Sequence, residues 1–131
     1  MSDIKQAQLL MRMANKDFDA LIGMVQDSKV FADEIFGFHT QQAIEKALKA
    51  WICMLDISYP LSHQIARLLT ILENSGENVE LFWPLEQHTA FAVQARDEAG
   101  VAVLTTQRAT VIEEVQLLLD RVMALITKSI D

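Results

Sequence analysis

Between Phe38 and Trp51 the chain has the pattern of a single helix with two different sides. At about 100° per residue, its apolar side consists of Ile44, Leu48, Trp51 and Leu55, flanked by Ala47 and Thr40. The opposite side carries a polar stripe at alternating spacings of three and four residues, made of His39, Gln42, Lys46, Lys49 and Cys53. The apolar side must be buried in a helical bundle. The polar stripe is expected to face either solvent or a second interface.

Helical periodicity extends over most of the chain. It predicts helices over Asp3 to Gln26, Val30 to Leu55, His63 to Leu72 and Thr110 to Lys128, and a helical region around Leu85 to Ala95 that is interrupted near Trp83 and Pro84. Thr110 and Glu113 have the spacing of a capping box that opens the last helix. Residues 95–109 fit either a helical continuation or a buried loop. The prediction is one all-α domain over residues 1–131, an up-and-down bundle of about four to five antiparallel helices.

Composition and charge narrow the classes of partner. With 51% hydrophobic residues, 4 Gly and 2 Pro, the chain favours a helical bundle over a β-sandwich. A net charge of −7 disfavours RNA as a partner and favours a protein, because binding to phosphates is largely electrostatic. Neither a signal peptide nor an apolar run of about 18 residues is present, so the expected location is the cytoplasm, without a membrane anchor. The single cysteine, Cys53, is expected to be a small packed residue.

No metal site or cofactor is predicted. The three histidines, at positions 39, 63 and 88, lie on different predicted helices, without the paired spacings that metal sites use. His63 and Arg67 are four residues apart and form either an anion pocket or a solvated pair. Glu45 and Lys49 have the spacing of an ordinary helical ion pair, which contributes roughly 0.3 kcal/mol.

Three segments resemble, in order, those of the HEPN domain family. Phe38 to Ala50, with the pattern F-H-x-Q-Q-A-x-E-K-A-L-K-A, is similar to the family's signature helix. Leu61 to Leu69 resembles its short helix that begins with histidine. Phe91 to Arg96 occupies the place of an aromatic segment that usually ends in Arg-Tyr-Pro. The resemblance covers most of the chain and implies the same all-α fold.

Many HEPN proteins are metal-independent RNases with an arginine, a spacer of four to six residues and a histidine. The histidine moves protons at the ribose hydroxyl and the arginine holds the charged phosphate. Here Arg96 stands in about the right region, but Val101, Ala102 and Val103 fill the positions for the histidine, and His88 precedes the arginine. No catalytic residue is therefore assigned.

The resemblance implies a homodimer with a cleft between its protomers, and a small nucleotidyltransferase as partner in a toxin–antitoxin-like system. Paired lysines across the dyad would bind a nucleotide phosphate, unless they are simply solvated surface residues. The candidate cleft or ligand-binding residues are His39, Gln42, Glu45, Lys46, Lys49, His63, Arg67 and Arg96. Two alternatives stay open: a divergent metal-independent RNase that uses His88, Arg96 and Glu45, and a generic helical scaffold or regulatory subunit.

Overall fold

A computed structural model describes residues 3–89 and 107–130, and these residues form helices without a strand. Four are α-helices and one is a 3-10 helix: α1 over Ile4–Met24, α2 over Asp33–Met54, α3 over Ile65–Asn74, the 3-10 helix over Glu80–Thr89, and α4 over Arg108–Ile130. The prediction of an all-α bundle is confirmed.

Helices α1 and α2 form the most extensive packing pair, and they run in opposite directions. The backbone N–H of Asp3, before α1, donates to the carbonyl of Cys53 near the end of α2 at 3.1 Å. Farther along α1, Asp17 contacts His39 and Lys46 in the middle of α2. Helix α4 packs against both helices, while α3 and the 3-10 helix pack on α2.

The predicted apolar side of α2 lies in the core. Ile44 and Leu48 are fully buried and Trp51 is 1% exposed. The indole Nε1 of Trp51 donates to Glu77 at 2.8 Å, and its ring meets that of Phe82 edge to face at a centroid distance of 5.8 Å. Trp51 therefore combines a large buried surface with a satisfied polar group, which is the arrangement a buried indole requires.

Arg108, the first residue of α4, connects three parts of the chain. Its guanidinium donates to the carbonyls of Met24 and Phe31, pairs with Asp33 at 3.2 Å and lies 4.8 Å from the centroid of the Phe36 ring. These contacts join the end of α1, the connection after it and the beginning of α2 to the start of α4.

Two predicted features of the later helices are wrong. Thr110 is not a cap, because α4 already begins at Arg108 and the N–H of Val111 bonds to the carbonyl of Gln107 at 3.0 Å. No interruption occurs at Pro84, which lies inside the 3-10 helix. Proline there removes one N–H from a helix type whose hydrogen bonds already have poor geometry.

Smaller corrections concern the first three helices. Helix α1 ends at Met24, α2 spans Asp33–Met54, and α3 begins at Ile65, so His63 precedes it. Asp56 takes a φ of 58°, a left-handed conformation that aspartate tolerates, and this turns the chain after α2. The prediction for residues 95–106 lies outside the described residues. Within the described residues, no helix has the length and apolar character needed to cross a membrane.

Candidate functional site

The polar side of α2 is largely covered by the protein itself. Lys49 is 8% exposed, Cys53 5% and Glu45 4%, whereas His39, Gln42 and Lys46 are half-buried. The expectation of a solvated or interfacial stripe is therefore wrong for its second half. The cover comes from α1 and from the connection between α2 and α3, because both supply side chains that contact the stripe.

Glu45 is the centre of a buried group that we call the Glu45 network, comprising Gln41, Glu45, Lys49 and His63. Gln41 Nε2 donates to Oε2 at 2.5 Å, and Lys49 Nζ donates to Oε1 at 2.6 Å. His63 Nδ1 lies 3.1 Å from both carboxylate oxygens. Because a carboxylate only accepts hydrogen bonds, Nδ1 carries the proton, and Nε2 is the second nitrogen of a side chain that is 54% exposed.

Glu45 remains ionised despite its burial. Burial alone would raise the pKa of this carboxyl, but hydrogen bonds from Lys49, His63 and Gln41 outweigh it and hold the pKa below its ordinary value. The carboxylate in turn neutralises the buried ammonium of Lys49. The pair of Glu45 and Lys49, expected to be an ordinary helical ion pair, is therefore buried and multiply bonded.

Further polar contacts extend the Glu45 network to the protein surface. Gln42 Nε2 donates to Gln41 Oε1 at 2.7 Å, so the network reaches the half-buried part of α2. At the other end, Lys49 Nζ lies 5.4 Å from the ring centroid of Tyr59. The hydroxyl of Tyr59 accepts a hydrogen bond from Gln6 of α1 at 3.0 Å.

A second group, the Asp17 cluster, comprises Asp17, His39 and Lys46 and joins α1 to α2. His39 Nδ1 lies 2.9 Å from Oδ1 of Asp17, and Lys46 Nζ lies 2.7 Å from Oδ2. The side chain of Asp17 is 12% exposed, that of Lys46 20% and that of His39 32%. The Asp17 cluster is thus less enclosed than the Glu45 network.

The remaining candidate residues lie apart from these groups. Arg67 is exposed on α3, and within the described part of the chain it makes no hydrogen bond or ion pair with His63. Arg96 lies outside the described residues. His88, a member of the alternative RNase set, is 1% exposed, and burial lowers its pKa to about 4, so its imidazole is neutral at neutral pH.

Two members of these groups, Asp17 and Gln41, were missed in the sequence, and so was Tyr59, which contacts the Glu45 network through Lys49. Asp17 gave a signal, because it interrupts the apolar stripe of the first helix and a carboxylate in that position needs a cationic partner. Gln41 and Tyr59 gave none. Gln41 adjoins the polar stripe without belonging to it, and Tyr59 lies in a connection whose path the periodicity does not define.

In both groups a carboxylate is paired with a lysine and a histidine, so the charges of each group compensate one another. Neither contains an arginine, and the described residues hold no cluster of three side chains able to bind a metal ion. A cavity of about 330 Å³ adjoins Tyr59, but Asp3 and Asp56 line it, which disfavours an anionic ligand. Burial, aided by the charge of Asp3, raises the pKa of Cys53 and keeps it a protonated thiol.

Comparison with known proteins gives one match. The family model described as the HEPN domain matches residues 7–126, which is nearly the whole chain. No curated protein and no solved structure is significantly similar to it.

Proposed function

The chain belongs to the HEPN domain family, and on that premise we propose that it is a non-catalytic, homodimeric module that binds a partner protein. The proposed partner is a small nucleotidyltransferase, with the two proteins forming a toxin–antitoxin-like pair. The missing arginine-spacer-histidine signature supports the non-catalytic part, and one observation of the structure carries the preference for a protein over a phosphate group: the lysines and histidines proposed for the cleft are already engaged by carboxylates. Asp17 holds His39 and Lys46, and Glu45 holds Lys49 and His63.

This pairing argues against a site for phosphate groups. A phosphate at Lys46 or Lys49 would have to displace a carboxylate that is already within 2.7 Å, or share the lysine with it. It would then meet the negative charge of Asp17 or Glu45 at close range, in a chain of net charge −7. A protein partner does not carry this cost, because it can use apolar contacts.

Exposed apolar side chains support a role in binding proteins. Leu61 is 99% exposed in the connection before α3 and Leu81 is 65% exposed at the start of the 3-10 helix. Other large apolar side chains exposed by 40% or more are Leu9, Met13, Ile22, Val30, Ile35, Leu117, Met123 and Ile130. Where such side chains adjoin one another, the patch they form commonly marks a site of protein interaction.

Affinity purification of the tagged full-length protein from its own cells, with mass spectrometry of the eluate, tests the partner. We expect a small nucleotidyltransferase in stoichiometric amount and a dimer of the tagged chain. Recovery of the bare chain would contradict the partner assignment. In parallel, labelled RNA incubated with the purified protein in a chelating buffer should stay intact, and metal-independent cleavage would contradict the non-catalytic assignment.

A divergent RNase is the second candidate, and the geometry of His63 favours it. Glu45 holds the Nδ1 proton, so the half-exposed ring can present Nε2 as a general base. His88 is a poor member of such a set because it is only 1% exposed and burial lowers its pKa to about 4, which makes it an inaccessible and weak base. RNA cleavage abolished by His63→Ala but retained in His88→Leu would establish this alternative.

A nucleotide remains a proposed ligand at the edge of the same region. Arg67 is exposed in the first turn of α3, four residues after His63, and it is the candidate cation least committed to an internal carboxylate. Titration with ATP should show saturable binding that Arg67→Ala weakens, with Arg12→Ala on α1 as the matched control. Absence of binding to the wild type would leave protein partners alone, as expected for a generic scaffold.

A further inference from the structure

We propose that the outer side of the 3-10 helix docks a basic, amphipathic segment of a partner protein. We call this surface the Trp83 face, and it consists of Glu80, Leu81, Trp83, Pro84 and Glu86, together with Glu73 near the end of α3. The inference rests on the proposed binding of a partner protein, for which it supplies a docking surface and the chemistry of the segment that binds there.

The 3-10 helix presents two rows of side chains on its outer side. With three residues per turn, side chains three positions apart lie above one another. The inner row packs in the core, and each of its members is 1% exposed: Phe82, Leu85 and His88. The outer rows are Glu80, Trp83 and Glu86 on one side and Leu81, Pro84 and Gln87 on the other. An acidic row with a central indole therefore runs beside a row that begins with two apolar residues.

Three carboxylates lie around the half-buried indole of Trp83. Its Nε1 donates to Oε2 of Glu73 at 3.1 Å, which holds the ring against the end of α3. Glu80 and Glu86 are exposed one turn before and one turn after it, each about 6 Å away along the helix axis at a rise of about 2 Å per residue. The face of an indole attracts a cation placed within about 6 Å of its centroid. Ring and carboxylates therefore favour the same kind of ligand group.

The acidic row has no compensating cation among the described residues. Between positions 68 and 89 the sequence has four glutamates and neither lysine nor arginine. Within the part of the chain that the structure describes, Glu73, Glu80 and Glu86 form no ion pair. In the Asp17 cluster and the Glu45 network, by contrast, a lysine and a histidine of the same chain pair with each carboxylate. At the Trp83 face a partner would have to supply the cations.

Arg121 of α4 packs on the 3-10 helix without pairing with these carboxylates. Its guanidinium lies 5.5 Å from the ring centroid of Phe82 and 5.6 Å from that of Trp51, and it donates to the carbonyl of Asn78 at 3.5 Å. The arginine is thus engaged with the inner side of the 3-10 helix. Among the described residues, the ring of Trp83 has no such cation over it, and its exposed part is available to a partner.

Charge selects a basic protein segment over other occupants. A single metal ion does not suit the Trp83 face, because the described residues hold no group of three side chains able to bind one. A nucleic acid would bring phosphates against the glutamates, and a second copy bound by the same face would oppose two identical acidic rows. Lysine or arginine side chains would instead meet carboxylates and an indole, both of which attract cations. Leu81, 65% exposed, and the exposed Pro84 fit the apolar side of an amphipathic segment.

Fluorescence anisotropy with a labelled amphipathic peptide of lysine and leucine tests the face on the full-length chain. Glu80→Gln with Glu86→Gln removes two charges from the Trp83 face. The matched control, Asp19→Asn with Glu113→Gln, removes two exposed charges from α1 and α4 and leaves the same net charge. We expect the dissociation constant to rise by about 10-fold in the face variant and by less than about 2-fold in the control. An otherwise identical peptide with glutamate in place of lysine should not bind.

Two outcomes of the titration would overturn the inference. The first is no binding of the basic peptide to the wild type. The second is an equal loss of affinity in the face variant and the control, which would mean that the peptide responds only to the net charge of −7.

Acrylamide quenching of the wild type gives a readout that needs no variant. Trp51 is 1% exposed, so the quenching of tryptophan emission reports mainly on Trp83. The basic peptide, which contains no tryptophan, should reduce this quenching as it covers the ring. Unchanged quenching at saturating peptide would place the peptide elsewhere and overturn the face.

The same variants separate this inference from the proposed function. If the tagged control retains a partner protein in affinity purification and the face variant loses it, both proposals gain support. Equal retention by both variants overturns the Trp83 face and leaves the proposed function in place. A bare wild-type chain that still binds the peptide through this face contradicts the nucleotidyltransferase and leaves the docking surface. Sedimentation of the chain alone covers the remaining occupant, because self-association lost only in the face variant would make it a second copy and overturn the inference.

Discussion

The two sides of α2 are both buried, but by different means. On one side, Ile44, Leu48 and Trp51 enter the core, where close packing suffices apart from the hydrogen bond of the Trp51 indole to Glu77. On the other, Glu45 and Lys49 are almost as enclosed and depend on each other and on two further hydrogen-bond partners of the carboxylate, Gln41 and His63. A helix whose sequence pattern is amphipathic can therefore be surrounded by protein, provided each buried charge has its partner.

This difference has an energetic consequence. Contributions on the apolar side scale with the buried area and with the cavity that a truncation leaves. On the polar side, removing one member of a pair leaves the other charged and buried, so the loss exceeds what the pair contributes. Variants on the two sides should therefore differ in how much free energy of unfolding they lose and in how that loss depends on pH and salt.

Trp51→Ala is expected to lower the free energy of unfolding by about 3 to 5 kcal/mol, because it removes the largest side chain buried on the apolar side. Urea unfolding at fixed protein concentration measures the loss. Trp51→Phe keeps an aromatic ring but loses the bond to Glu77, so it should cost less. A loss under about 1 kcal/mol in the alanine variant would contradict the role of Trp51 in the core.

His88→Leu tests an ionisable side chain buried in the 3-10 helix, whose pKa is set by burial, whereas hydrogen bonds set that of Glu45. Burial lowers the pKa of His88 to about 4, so between pH 6.5 and pH 4 the unfolded chain binds a proton that the folded chain does not. Stability therefore falls as the pH falls through this window, by about 3 kcal/mol from this group. Urea unfolding at pH 7, 5.5 and 4 should show a smaller decline in the variant, and parallel curves would contradict the assignment.

The sequence pattern correctly predicted burial on the apolar side of α2 but did not predict burial on its polar side, and the reason is physical. Periodicity identifies Ile44, Leu48 and Trp51 because apolar burial depends on the helix's own pattern. The burial of Lys49 depends on Glu45, on His63 from a connection and on Tyr59 beyond it, and nothing local defines the path of that connection. The pattern of α2 alone therefore predicted a stripe that faces either solvent or a second interface.

The candidate site residues likewise divide into those that the sequence identified and those that only the packing of the helices reveals. Gln42, Glu45, Lys49 and His63 were named from the sequence, and the structure brings them together. Asp17, which holds His39 and Lys46, could be recognised only as a carboxylate inside an apolar stripe. Its partners, His39 and Lys46, lie on α2 and reach it only because α1 and α2 pack together. Residues joined across two helices need the packing of those helices, which spacing within one helix does not supply.

Glu45→Gln is expected to lower the free energy of unfolding at pH 7 by about 2 kcal/mol, because it leaves Lys49 charged and buried. Since the folded pKa of Glu45 is lowered, its contribution is present above about pH 4.3 and is lost as the pH falls through the folded value. The variant should lack this acid-dependent part, and urea unfolding across pH measures it.

The double variant Glu45→Gln with Lys49→Met provides the control. Methionine fills a similar volume without a charge, so adding it to Glu45→Gln should restore part of the lost stability. If the losses of the single variants Glu45→Gln and Lys49→Met simply add in the double variant, the two charges are not coupled and the Glu45 network is not one energetic unit.

Asp17→Asn should have the smallest effect, about 1 kcal/mol, because the Asp17 cluster is less enclosed than the Glu45 network. Salt separates the two cases, since exposed pairs are screened and buried pairs much less so. Raising the salt concentration from about 0.1 M to about 1 M, across which the screening length shortens from about 10 Å to about 3 Å, should shrink the loss in Asp17→Asn and leave that in Glu45→Gln nearly unchanged. Equal salt dependence in both variants would mean that the two groups are equally open to solvent. It would contradict the conclusion that the Glu45 network is more enclosed than the Asp17 cluster.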